Sequence, residues 1–142
     1  MKRAVLALLA LSLSFSLAAQ QSPLVDLNSA QSVAGVWSGQ WQSLRDARSG
    51  GSMDIELGVN GDQVTGRAKA GIRGDCSNQW QKLSGVLKEG KVFGSYNLGG
   101  RCGKVDLVLW LESDATSMVG TWTSEFPSNG TYTLRKVAGA GR

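Results

Sequence analysis

Eight short runs of alternating apolar and polar residues, joined by links that are by turns short and long, leave this chain few folds to adopt. The runs are 35–41, 53–59, 63–69, 80–88, 91–97, 104–112, 116–124 and 130–136. No window of 11 or more residues from Gly35 onward holds a helical period, so the class is all-β. Asn60-Gly61-Asp62, Glu89-Gly90 and Ser113-Asp114-Ala115 are hairpin-length links, which make their flanking runs antiparallel neighbours. The links 42–52, 70–79, 98–103 and 125–129 are longer. In a meander this strict alternation puts every tight turn at one end and every long loop at the other. The expected fold is an eight-stranded antiparallel up-and-down β-barrel with one disulfide; a two-sheet sandwich with the same hairpins is the alternative.

Parity assigns the faces. In 53–59, Met53, Ile55, Leu57 and Val59 point inward and Asp54 and Glu56 outward. In 104–112, Val105, Leu107, Leu109 and Leu111 share one face, while Val108 and Trp110 on the other suggest burial on both sides. A bulky residue two before glycine recurs at Val64/Gly66, Leu83/Gly85, Val92/Gly94 and Met118/Gly120. Glycine inside a strand permits a sharp bend or the close approach of a neighbour. These four would let the strands coil tightly toward the tight-turn end, with Trp37 plugging the floor; simple abundance of glycine is the other explanation.

Cys76 and Cys102 flank the same end of the hairpin formed by 80–88 and 91–97, where a disulfide is geometrically plausible. The first 19 residues support an oxidising compartment. Lys2 and Arg3 precede the apolar run Val5–Leu17, and small residues follow at Ala18 and Ala19. Met1–Ala19 therefore reads as a signal peptide, 20–34 as a flexible leader, 35–137 as the barrel and 138–142 as a tail. The expected location is periplasmic or secreted, with no stable membrane anchor after cleavage; a retained N-terminal anchor is the alternative. A metal held by two cysteines is the weaker reading, because the sulfurs lack further ligands.

Charge and composition exclude more than they select. Without Lys2 and Arg3, 13 basic residues face 11 acidic ones, too even a balance for a nucleic-acid binder. The chain has no histidine, which removes Ser-His-Asp and Cys-His catalysis and most zinc sites. No nucleophile elbow, Walker loop or dinucleotide fingerprint is present. No catalytic residue, metal ligand or cofactor is assigned, and the protein is not expected to be an enzyme.

The candidate ligand-binding residues gather at the long-loop end: Trp41, Arg73, Trp80, Tyr96, Arg101 and Trp122. Trp41, Tyr96 and Trp122 share the inward parity of their strands; Trp80 sits at a loop edge and its side is ambiguous. Arginine forks beside tryptophan faces suit a flat or anionic ligand, such as a carboxylate head on an apolar body. The plain alternative is that the tryptophans are core and the arginines solvated. The leading expectation is non-catalytic binding of a small amphiphilic or anionic ligand at the open rim. The second is a protein-binding module, such as a periplasmic inhibitor or immunity protein against a cell-wall hydrolase, using loop 70–79.

Several short motifs carry a family likeness. Gly35-Val36-Trp37 resembles the Gly-x-Trp signature of the calycin group, the lipocalins and avidins. MDIELGVNGDQVTGRA, LSGVLKEGKVFGSY and SMVGTWTS resemble the avidin pattern more, and the cysteine pair is similar to that of the short bacterial avidins. The resemblance spans Gly35 to Lys136 and implies a calycin-type barrel. The biotin contacts of that family do not carry over: Gln42 and Ser43 stand near its first Asn and Ser, and Arg67 to Lys69 replace its third-strand Tyr and Ser. Trp80 and Trp122 are the residues that could stand for its ligand-facing tryptophans.

Overall fold

The computed structural model describes residues 29–139 apart from 73, 75, 77 and 127. The expected signal segment, residues 20–28 of the leader, Arg73 and residues 140–142 lie outside the described residues. Eight strands follow in order: β1 (Gly35–Ser43), β2 (Gly50–Asn60), β3 (Gln63–Ala70), β4 (Gln81–Lys88), β5 (Lys91–Asn97), β6 (Lys104–Leu111), β7 (Ser117–Ser124) and β8 (Asn129–Lys136). Each pairs antiparallel with its neighbours in sequence, and β1 pairs with β8 from Trp37↔Lys136 to Ser43↔Gly130. The barrel is closed and up-and-down, so no strand edge is left unpaired. The sandwich alternative is thereby excluded.

The tight turns lie at one end. Gly61-Asp62 and Glu89-Gly90 each link two strands directly, and both Glu89 (φ 51°) and Gly90 (φ 74°) occupy the left-handed region. That is the two-residue hairpin geometry whose twist matches the flanking strands. Between β6 and β7 the Asp114 carboxylate accepts the N–H groups of Thr116 and Ser117, each at 3.0 Å. Those bonds lower its pKa.

Inward side chains fill the tight-turn half. Trp37, Ile55, Leu83, Leu109, Met118 and Leu134 are fully buried there or beside it. The recurrent glycines sit on this inward face for the reason of close approach. A side-chain carbon at Gly66, Gly85 or Gly120 would run into a carbonyl oxygen of the adjoining strand (Glu56, Phe93 and Val108 respectively). At Gly94 it would meet the Leu107 side chain at 3.3 Å. Abundance alone does not account for that placement.

Two expectations change. Ala30–Val33, assigned to the leader, forms one helical turn (α1), capped by the Ser29 hydroxyl. Val33 is buried against the core, and its carbonyl accepts the Trp37 indole N–H at 2.9 Å. The floor thus needs more than Trp37: the indole requires an acceptor once buried, and this turn supplies it. Lys136 closes the other side, its ammonium 5.2 Å from the Trp37 ring and donating to the Ser32 carbonyl at 3.0 Å. Val108 and Trp110 are half-buried on the outer wall rather than packed under a second layer, with Lys91 5.7 Å from the Trp110 ring. A single closed sheet has only one dry face, and neighbouring stems shield the outward apolar residues in part.

Candidate functional site

The long loops 44–49, 71–80, 98–103 and 125–128 ring the other end of the barrel. Two of them are tied together by the Cys76–Cys102 disulfide, whose Cα atoms are 5.6 Å apart. Cys102 ends a single 3-10 turn, Gly100–Cys102, flanked by Gly99 (φ 74°) and Gly103 (φ 58°). Those left-handed positions let the loop fold back onto the mouth within six residues.

Beneath the loops lies a cavity of about 200 Å³. Its walls include inward side chains near the loop end of six strands: Trp41 on β1, Ala70 on β3, Tyr96 on β5, Val105 on β6, Trp122 on β7 and Tyr132 on β8. Its rim carries Ile72, the disulfide, Arg101 and Phe126. Trp41 and Trp122 meet edge to face, centroids 5.8 Å apart at 80°. Trp122 lies against Gly130, where any side-chain carbon would run into the indole.

The polar atoms of this wall divide sharply. The Trp41 indole N–H donates to the Gly71 carbonyl at 3.2 Å, drawing the start of loop 71–80 over β1. Tyr96 and Tyr132 share a hydrogen bond of 2.8 Å between hydroxyls. Burial pushes the Tyr96 pKa up to about 12, opposed by the bond to Tyr132, and burial raises Tyr132 well above its ordinary value. Both stay neutral at physiological pH. The Trp122 indole N–H, by contrast, is buried with no partner.

Arg101 is the charged residue of the cavity lining among the described residues, and it is exposed. Among the described residues it forms no ion pair, whereas Lys104 is held by Asp106 at 2.9 Å, which raises the lysine pKa. The Glu125 carboxylate accepts the Lys104 backbone N–H at 2.9 Å. Arg45 and Arg48 sit on loop 44–49 and line other, shallower depressions.

The structure therefore brings Trp41, Tyr96, Trp122 and Arg101 together and leaves Trp80 apart. Register explains why. Gln81 pairs with inward Ala68 and Lys82 with outward Arg67, so Trp80 has outward parity. It is 38 % exposed beneath the Arg67 guanidinium, 4.6 Å from the ring, and Arg67 also pairs with Glu56. Tyr132 was not anticipated from the sequence. Its inward parity with Leu134 was visible, but its partner Tyr96 lies 36 positions away and only the closed barrel brings them together.

A larger depression, about 420 Å³, lies on the outer faces of β4 to β7 around Val86, Phe93 and Val108. It is an open sheet surface with no inward wall. Among the described residues no three His, Cys, Asp or Glu side chains are grouped to hold a metal ion. Among the described residues the mouth cavity presents aromatic walls, a small number of hydrogen-bonding groups and one cation at the entrance. No family model, curated protein or solved structure matches this chain.

Proposed function

We propose that this barrel is a non-catalytic binding protein that holds a small amphiphilic or anionic ligand in the cavity at its open end. The observation that carries the reading is an aromatic cavity at the open end of the barrel whose one lining cation among the described residues, Arg101, is exposed at the entrance. An apolar body would lie against Trp41 and Trp122, and an acidic head would reach the Arg101 fork. A dry cavity of roughly 150 Å³ admits benzene, so the size suits a single ring with a few further atoms. The disulfide favours an oxidising compartment, and the reading places the protein in the periplasm or outside the cell. The eight-stranded closed barrel is compatible with a calycin-type fold. Binding of biotin is not part of the reading, since the first-strand and third-strand contacts of avidins are not matched.

Native mass spectrometry of the mature protein, purified gently from its natural source, tests the reading. A small-molecule adduct lost in Arg101→Ala or Trp122→Ala supports it and gives the ligand's mass. A bare barrel that carries only a bound protein overturns it. That outcome is the second reading, a protein-binding module of the inhibitor or immunity type. It is favoured by Leu44 and Phe126, which are 67 % and 53 % exposed on loops of the same rim.

A further inference from the structure

We infer that the outer face of β4 to β7 pairs with the same face of a second copy of this chain, about a two-fold axis that runs across the strands. The inference is independent of the binding reading above, because such a pair leaves both mouths open.

Strand register arranges this face in three rows. The central row is Val86, Phe93 and Val108, which lie opposite one another on β4, β5 and β6. Two residues toward the mouth stand Ser84, Ser95, Asp106 and Thr123. Two residues toward the tight turns stand Lys88, Lys91, Trp110 and Val119. Val86 and Phe93 are direct cross-strand partners, 39 % and 42 % exposed, with half-buried Val108 beside them. Neighbouring apolar residues exposed in this way mark an interaction surface.

The shape of the face matches itself. The depression of about 420 Å³ is lined by the central and mouthward rows and by no member of the turnward row. Small side chains at Ser84 and Ser95 keep it low, while Lys91 and Trp110, 5.7 Å from ammonium to ring, form a bank beside it. Two sheets that meet face to face as identical copies are related by an axis lying between them, and their surfaces must be self-complementary. An axis along the central row turns one copy end for end. Phe93 then meets Phe93, and the Lys91–Trp110 bank of each copy lies on the depression of the other.

Charge selects that axis. Lys88 and Lys91 are direct cross-strand partners, an unfavourable like-charge pair, and neither makes an ion pair among the described residues. An axis across the strands brings this basic corner beside Asp106 of the other copy, an exposed carboxylate that otherwise has Lys104 of its own chain. An axis along the strands would keep each row on itself, with Lys91 near Lys91 and Asp106 near Asp106. The face measures roughly 19 by 25 Å, an area that suits a micromolar pair rather than an obligate dimer.

Sedimentation of the mature, disulfide-intact protein is expected to show a reversible passage from one barrel to two across the micromolar range. Phe93→Glu, a change at an exposed site, is expected to weaken pairing about tenfold or more with the melting temperature held. Asp106→Lys and Lys91→Asp are each expected to weaken it, and the double variant to restore it. Within one chain Asp106 lies opposite Ser95, four residues or about 13 Å along the strand from Lys91, so rescue acts between copies. Without any variant, a mixture of isotope-labelled and unlabelled chains is expected to show contacts from the Trp110 ring to the Thr123 methyl of the other copy. A monomer at every concentration, alone or carrying a different protein on this face, overturns the inference. So does a dimer that ignores Phe93→Glu, that the double variant fails to restore, or that lacks the Trp110–Thr123 contacts. None of these results bears on whether a ligand occupies the mouth, which adduct analysis reads separately.

Discussion

The Tyr96 and Tyr132 hydroxyls meet at 2.8 Å and join β5 to β8, two strands that share no backbone hydrogen bond. The backbone ladders that connect these strands run around the wall, through β6 and β7 or the long way through β1 to β4. The hydroxyl bond crosses the lumen, and no inward residue closer to the tight turns than these two tyrosines lines the mouth cavity. It is a polar crossbar set between the apolar core and the mouth cavity.

The crossbar gives stability a defined alkaline limit. Tyr96 has its pKa raised by burial from 10.0 to about 12, and Tyr132 is raised further by burial and by its neighbour. Below pH 10 both phenols are protonated in the folded and unfolded chains alike, so this contribution is constant. Above pH 10 the unfolded chain releases protons that the barrel retains, and stability falls as pH rises through the folded values. Tyr96 alone accounts for roughly 2–3 kcal/mol across that window. Melting temperature followed with pH, alongside phenolate absorbance, should show the two tyrosines ionising only as the barrel opens. The double variant Tyr96→Phe/Tyr132→Phe should flatten the fall.

Removing one hydroxyl is expected to cost more than removing half of the pair. Tyr132→Phe leaves the Tyr96 hydroxyl buried against a ring edge, for about 1–3 kcal/mol. The double variant Tyr96→Phe/Tyr132→Phe should be less destabilised than the two single losses added together. Urea unfolding of the four proteins closes the cycle, and simple additivity would mean the hydroxyls are satisfied independently.

Reduction of Cys76–Cys102 should weaken both the fold and the cavity. The bridge joins positions 26 apart and stabilises by about 3.5 kcal/mol on the chain-entropy account. Cys76→Ser/Cys102→Ser is expected to unfold at lower urea concentration by that order. It should also weaken binding of any mouth ligand more than binding of the same ligand is weakened by an equally destabilising change in the floor.

The turn between β4 and β5 holds room for improvement. Glu89 adopts φ 51°, a conformation that costs most L-residues about 1–2 kcal/mol and that asparagine tolerates. Glu89→Asn creates the preferred pairing with Gly90 for this hairpin and is expected to stabilise the barrel by roughly 0.5–1 kcal/mol. The shift should appear as a higher melting temperature with ligand affinity unchanged, because the turn lies at the end opposite the mouth.

The barrel was readable because its signals are local: alternation within each run and link length between runs fix the neighbours, and closure follows once eight strands meander. Trp41, Tyr96 and Trp122 were readable for the same reason, since parity is a property of a few consecutive residues. Trp80 escaped because it lies just outside β4, and only the register of Gln81 opposite Ala68 decides its side. The seat beneath Trp37 escaped because α1 has one turn, too short for a periodic signal. Tyr132 and the unpaired Trp122 N–H escaped because a missing partner is a property of the folded interior, and no residue spacing records it.

Closure of β1 against β8 has one more consequence. The backbone enters the barrel at Gly35 and leaves it at Lys136, side by side on the tight-turn end, with Trp37 opposite Lys136 in the ladder. Whatever is joined to the chain ahead of α1 or behind β8, be it a tether, a label or a solid support, hangs from the sealed end. The mouth then faces away from both points, so a support joined directly at α1 or just after β8 would leave its entrance clear.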